Sequence, residues 1–217
     1  MEPSLFFQVS FIAIFSCLTA ARLYYRLSTG AIRDGVFTRR EGVFPVLLRW
    51  TLGLPLVYAT VSFVFLSSGG ILTDTGTWMY VSLPFVLRSI GVIVGFAAVT
   101  LIVLVHRELG IYFSSTLVIR PEHRLVTTGP YRFVRHPMYS SYLLLFIGAF
   151  LVSANWVIGA SGTAVIATLM TVRLTREEAL LIDRFGAEYE EYRRNTGMFI
   201  PMTHRIGDVR RLADDAS

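Results

Sequence analysis

Residues 129–139 read Gly-Pro-Tyr-Arg-Phe-Val-Arg-His-Pro-Met-Tyr, and a largely apolar run follows from Met138 to Ser153. This junction decides the fold. Pro137 stands where the first helical position falls, a place where a missing N–H costs nothing, so the run is predicted to be a helix with His136 as its N-cap. A helix start offers free N–H groups and a partial positive charge, and Arg132 and Arg135 stand in the turn before it. Together they outline an anion site at the edge of a membrane.

The composition supports the membrane. Of 217 residues, 53% are hydrophobic and 16% charged, with a mean hydropathy of +0.57, which is too apolar for an ordinary soluble domain. The net charge of +5 comes from arginine alone, because the chain has no lysine. In a membrane protein such an excess orients the chain and touches anionic headgroups. Nucleic-acid binding is not expected, since there is neither a basic soluble domain nor an aromatic-basic repeat. The one cysteine, Cys17, lies inside an apolar run, which excludes an intrachain disulfide and a cysteine-based zinc site.

Working outward, five apolar runs are expected to span an all-α membrane protein. Leu5–Tyr25 is the first, about twenty residues, the length needed for a ~30 Å hydrocarbon core; its Met-Glu-Pro start reads as a retained helix rather than a cleaved signal. Val46–Leu66 is the second, with Pro55 inside it as an expected kink. Val81–Val105 is the third; Pro84 suggests a late start, and Arg88 is expected to snorkel to the interface, a buried functional charge being the alternative. Met138–Ser153 and Trp156–Val172, joined only by Ala154-Asn155, form a helical hairpin. Thr116–Arg120 and Arg124–Thr128 flank Pro121-Glu122-His123 as a hairpin or two extended segments. Beyond Arg173, Leu181, Phe185, Tyr189 and Tyr192 recur near every fourth position, predicting an amphipathic helix with Gly197 as its C-cap. The chain is thus one membrane domain over 1–217: three spans within 1–105, a site loop 106–137, the hairpin 138–172, a C-terminal site helix 173–201 and a polar tail 202–217. The arginine-rich loops follow spans one, three and five, which places the N-terminus outside and the 129–139 stretch and C-terminal helix together in the cytoplasm.

Two segments then face one another. Arg173 and Glu177, four apart, share a helical face, while Glu178 lies about 100° around. These are either the charged flank of a helix leaving the bilayer or, with the cationic cap opposite, a site for a zwitterion whose carboxylate meets Arg135 and His136 and whose ammonium meets Glu177 or Glu178. Tyr131 and Tyr139 fit an interfacial belt, and Tyr139 also lies beside anything bound at the helix start. No metal is expected, because His106, His123, His136 and His204 do not stand at ligand spacing. There is no dinucleotide fingerprint, P-loop or nucleophile elbow.

The segment Leu125-Val126-Thr127-Thr128-Gly129-Pro130-Tyr131-Arg132-Phe133-Val134-Arg135-His136-Pro137-Met138-Tyr139, followed by Glu177-Glu178 and by Phe185-Gly186-Ala187-Glu188-Tyr189-Glu190-Glu191-Tyr192, closely resembles the isoprenylcysteine carboxyl methyltransferase family of integral membrane enzymes, over about Gly110 to Pro201. The resemblance implies S-adenosylmethionine held between the two segments on the cytosolic side, and a lipophilic acceptor entering from the bilayer. It sets the cofactor against Leu125, Val126, Gly129, Tyr131, His136 and Tyr139, with Glu178 or Glu177 on the amino group, and it implicates Arg173 in aligning the acceptor; Arg135 joins the cofactor-binding residues as the cation of the anion site read above. A carboxylate acceptor needs no general base; a thiol or amine would need one, with His136 or Glu177 as candidates. The expected partners are a lipophilic or lipidated substrate and membrane lipids. The alternatives are an NADPH-dependent reductase of the sterol type, whose members are longer, and a non-catalytic membrane binding protein of the same fold. Arginine-only basic usage points to a GC-rich genome and hence to a bacterial inner membrane.

Overall fold

The computed structural model describes residues 3–28, 43–66, 77–110 and 124–202, and every regular element among them is helical. In chain order these are α1 (Pro3–Ser28), α2 (Val43–Val61) closed by a π turn (Ser62–Leu66), a short 3-10 turn (Thr77–Met79), α3 (Phe85–Leu109), a second 3-10 turn (Gly129–Arg132), α4 (Pro137–Ser153), α5 (Trp156–Phe185) and α6 (Ala187–Asn195). Three helices, at Leu5–Tyr25, Phe85–Leu109 and Trp156–Phe185, are long and apolar enough to cross a membrane; Thr51–Phe65 and Pro137–Ser153 are shorter apolar helices. The third apolar helix begins at Phe85, behind Pro84, rather than at Val81. The hairpin expected around Pro121 lies outside the described residues, while Arg124–Thr127 is non-helical chain leading into the 3-10 turn.

Local chemistry sets the α4–α5 hairpin. Pro137 occupies the first turn of α4. Ala154 closes that helix in the left-handed region at φ 53°, its N–H bonded to the carbonyl of Phe150. Asn155 then caps α5, its Oδ1 accepting from the N–H groups of Val157 and Ile158 at 3.0 and 3.3 Å, which satisfies two donors that a helix start otherwise leaves open. Two linking residues therefore suffice to reverse the chain.

α3 and α4 form the centre of the bundle, and small residues let them approach closely. A Cβ on Gly148 would lie 2.8 Å from the N of Gly95, and one on Gly91 only 2.5 Å from the Cβ of Leu151. Phe7, Phe11 and Ile14 of α1 join Ala98 and Ile102 of α3, Leu145, Ala149 and Val152 of α4 and Ile158 of α5 in one continuous core. Gln8, buried within it, donates from Nε2 to the carbonyl of Phe63 at 3.1 Å; a π turn disturbs the regular helical ladder, and the amide serves a carbonyl there.

The two ends of the bundle differ in chemistry. At one, Arg88 is half-buried: its Nε and a terminal nitrogen donate to the carbonyl of Val152 at 3.1 and 2.8 Å, and its guanidinium stands 4.0 Å from the centroid of Phe7. A cation in the first turn of α3 opposes that helix's own dipole, yet here it meets the negative C-terminal end of α4. Trp78 and Trp156 pack edge to face beside it. The opposite end gathers the C-terminal parts of α1, α3 and α5 around the start of α4. There Tyr25 stacks on the buried His106, Thr128 donates to Glu108, and the polar residues of the hairpin face each other.

Candidate functional site

Gly129 opens the 3-10 turn at φ +57°, a conformation favouring glycine, and a Cβ there would press on Glu108 at 2.8 Å. The turn closes through the N–H of Phe133 on the carbonyl of Pro130 at 3.2 Å and delivers the chain extended into residues 134–136. Leu125 and Val126, both half-buried, lead into it. His136 occupies the N-cap position of α4 but makes no side-chain cap. Its ring turns instead toward α5.

There it meets the paired glutamates. Nε2 of His136 lies 3.3 Å from Oε1 of Glu178, and Nδ1 lies 3.8 Å from Oε2 of Glu177. Only 7% of the imidazole is exposed, and this burial pulls its pKa below the ordinary histidine value despite the opposing pull of Glu178. The ring is therefore neutral at pH 7 and carries one N–H.

The two glutamates are not equivalent. Oε1 of Glu178 accepts from Nε of Arg135 at 3.2 Å and from the hydroxyl of Tyr189 at 3.4 Å, besides its contact with His136. Its Oε2 has no partner among the described residues, in a side chain 14% exposed. Glu177 is more open, at 27%, and receives the hydroxyl of Tyr139 on Oε1 at 3.2 Å. Arg173, one turn earlier on the same face, acts electrostatically on both Glu177 and Tyr139. Burial and then the charge of Glu178 push the Tyr189 phenol up to about 12. Burial likewise raises Tyr131 well above the usual phenol range, so both hydroxyls keep their protons, and that of Tyr189 donates to Glu178.

The structure thus brings Arg135, His136, Tyr139, Arg173, Glu177 and Glu178 together, with Tyr131 beside them. Arg135 departs from the expected open cation, because its donors are directed into the protein. Residues 173–201 are also not one helix. α5 runs on to Phe185, the chain breaks at Gly186 with φ +51°, and α6 ends at Asn195 with the extended Thr196 as its cap. Gly197 does not cap that helix by a left-handed turn; it bridges Val134 in parallel. Sequence reasoning placed the segment 192–199 within the C-terminal site helix but did not find its pairing with residues 131–140. Its contacts are the hydroxyl of Tyr192 on the carbonyl of Tyr131 at 2.7 Å, the backbone N–H groups of Arg135 and His136 on the carbonyls of Gly197 and Met198, and Ser140 Oγ on the carbonyl of Phe199 at 2.8 Å. Tyr192 was visible as part of an apolar period and of the Phe-Gly-x-x-Tyr-x-x-Tyr motif, but nothing in the 196–199 sequence signals pairing with residues 134–136.

Comparison with known proteins gives a consistent picture. Residues 89–183 match the model of the isoprenylcysteine carboxyl methyltransferase family. The chain is 36% identical over 81 residues to a protein-S-isoprenylcysteine O-methyltransferase of Schizosaccharomyces pombe, a match covering 37% of this chain and 34% of that one. It is 34% identical over 83 residues to methanethiol S-methyltransferase 1 of Bradyrhizobium diazoefficiens, covering 38% and 28%. A solved structure of the eukaryotic intramembrane Ras methyltransferase, an isoprenylcysteine carboxyl methyltransferase, superposes with a TM-score of 0.55 at 21% identity, over 92% of this chain and 71% of that one. The sequence matches span about a third of the first of these relatives and less of the second, whereas the likeness of fold extends over nearly the whole chain.

Proposed function

We propose, from the premise that this chain belongs through residues 89–183 to the isoprenylcysteine carboxyl methyltransferase family, that it transfers a methyl group from S-adenosylmethionine to a lipophilic carboxylate or thiol reached from the bilayer. Glu178 carries this reading: three side chains hold Oε1, and Oε2 is left with no partner among the described residues. A carboxylate so aimed, beside a neutral imidazole and the N-terminus of an apolar helix, fits the ammonium and carboxylate of an amino-acid headgroup. When bound, S-adenosylmethionine supplies a methyl group on a sulfonium, activated without help from the protein.

The residues of this chain then bind and orient. Oε2 of Glu178 receives the ammonium. The first N–H groups of α4 and the Tyr139 side take the carboxylate, and Leu125, Val126, Gly129 and Tyr131 flank the rest of the cofactor. Arg173 aligns the acceptor. For a carboxylate acceptor no proton moves, so alignment and exclusion of water are all that is required. For a thiol, Glu177 receives the proton: Tyr139 is its hydrogen-bond donor and its carboxylate is the more open of the two, whereas His136 is buried and turned to Glu178. The orientation that sets the arginine-rich end in the cytoplasm leaves the apolar flanks of α4 and α5 to admit a lipophilic acceptor, and a bacterial inner membrane is the expected setting.

Equilibrium binding to the detergent-solubilised protein tests the assignment. S-adenosylhomocysteine binds the wild type and is lost in Glu178→Ala and His136→Ala, with NADPH measured in parallel. Undiminished binding in both variants would remove the site from the reading, and preferential binding of NADPH would favour the reductase.

A further inference from the structure

We infer that Arg135 is a positioning residue rather than a contact of the cofactor: it fixes Glu178 and clasps residues 192–199, a C-terminal strap, against the start of α4. The inference rests on the cofactor reading above for its consequence, but the clasp itself stands on geometry alone.

The Arg135 side chain is 8% exposed. Nε and one terminal nitrogen face Oε1 of Glu178, each at 3.2 Å, while the other terminal nitrogen donates to the carbonyls of Arg193 at 2.8 Å and Thr196 at 2.7 Å. Those contacts occupy most of the donors an arginine possesses. The two carbonyls belong to the last turn of α6 and its cap, where a helix leaves acceptors unsatisfied and where positive charge is favoured. One side chain therefore caps α6 and orients a glutamate on α5. The backbone repeats the attachment: Arg135 N–H meets the carbonyl of Gly197 at 2.7 Å, and His136 N–H meets that of Met198 at 3.1 Å. Tyr192 and Ser140 fasten the two margins of the strap. At Gly197 the chain folds back so tightly that a Cβ would stand 1.9 Å from the carbonyl oxygen of Ile200, which keeps the strap in the compact form that Arg135 grips.

The consequence is specific. With Oε1 of Glu178 held by Arg135, Oε2 is presented in one orientation; without that hold, both the carboxylate and the strap are released. Lysine does not substitute, because a compact ammonium cannot hold a carboxylate and two carbonyls in this planar arrangement.

Trypsin reads the clasp directly, since Arg193 and Arg194 lie in the strap and the exposed Arg184 on α5 serves as an internal control. In the full-length protein in nanodiscs, Arg135→Gln and Arg135→Lys each speed cleavage after Arg193 and Arg194 at least tenfold, with cleavage after Arg184 unchanged within twofold. S-adenosylhomocysteine affinity falls in the same two variants. Tyr192→Phe removes one neutral hydrogen bond from the strap and accelerates the same cleavage about fivefold; it decides the question should Arg135→Gln fail to fold. A strap equally protected in wild type and both Arg135 variants overturns the inference. So does lost ligand affinity with the strap still protected, which would make Arg135 a direct contact, and so does an opened strap with ligand affinity unchanged. If the wild type itself binds no S-adenosylhomocysteine while the cleavage pattern holds, the clasp stands and the methyltransferase reading falls.

Discussion

Replacing Arg88 with alanine loosens the end of the bundle opposite the site, and its cost follows from three contacts. The guanidinium makes a charge-assisted pair of hydrogen bonds to one carbonyl, at 3.1 and 2.8 Å, and such a bond to a charged group contributes about 1.5–3 kcal/mol. Its position 4.0 Å over Phe7 adds about 1 kcal/mol as a cation–π contact in a partly desolvated place. Ordering the long side chain offsets some of this, leaving about 3 kcal/mol. For a chain of this size each kcal/mol moves the midpoint by about 2–4 °C, so thermal unfolding in a single detergent falls by roughly 6–12 °C. Arg88→Lys keeps the charge and one donor and recovers part of the loss. Ligand affinity of the folded protein stays at the wild-type value, because the site lies at the other end of α4. A midpoint within a degree of wild type would refute the idea that Arg88 secures the hairpin.

Other outcomes follow from the same geometry. Glu178→Gln keeps shape but turns an amide toward the ammonium, and the lost charge-assisted contact weakens S-adenosylhomocysteine binding by about two orders of magnitude, as calorimetry will read; Glu177→Gln changes it far less. His136 is held below its ordinary pKa of 6.5 by burial, so the folded state resists a proton that the unfolded chain accepts. Its contribution to stability is whole above about pH 6.5 and is lost as pH falls below it, and denaturation followed from pH 8 to 5 declines more steeply in wild type than in His136→Gln. Gly148→Ala sets a Cβ 2.8 Å from the backbone of Gly95 and forces α3 from α4 at a cost of about 2 kcal/mol, visible as a lowered unfolding midpoint.

Much of this structure was legible in the sequence where a local rule governs. Pro137 at the first turn, the two-residue Ala154-Asn155 link and the four-residue spacing of Arg173 and Glu177 each act through neighbours in the chain, and each stands where its local chemistry requires. Long-range pairing left no such mark. Nothing local ties Arg88 to its acceptor, the carbonyl of Val152, which lies 64 residues away. Arg135 read as an open cation for the same reason, its acceptors Arg193 and Thr196 coming from a segment that adds no motif of its own. The break at Gly186 was hidden by the apolar period that continues from Leu181 to Tyr192, since periodicity does not register a single residue at positive φ. The distinct roles of Glu177 and Glu178 rest on which oxygen each donor chooses, which spacing does not encode.

The proposed methyl transfer to a lipophilic acceptor takes place at the polar end of the α4–α5 hairpin. Purified protein incubated with methyl-labelled S-adenosylmethionine and a lipid extract, followed by mass spectrometry of the organic phase, tests it most directly. Label appears in a lipophilic carboxylate ester or thioether with the wild type, and is absent with Arg173→Ala and with Glu178→Ala. An organic phase without label from protein that binds S-adenosylhomocysteine, or equal labelling by wild type and Glu178→Ala, would contradict it.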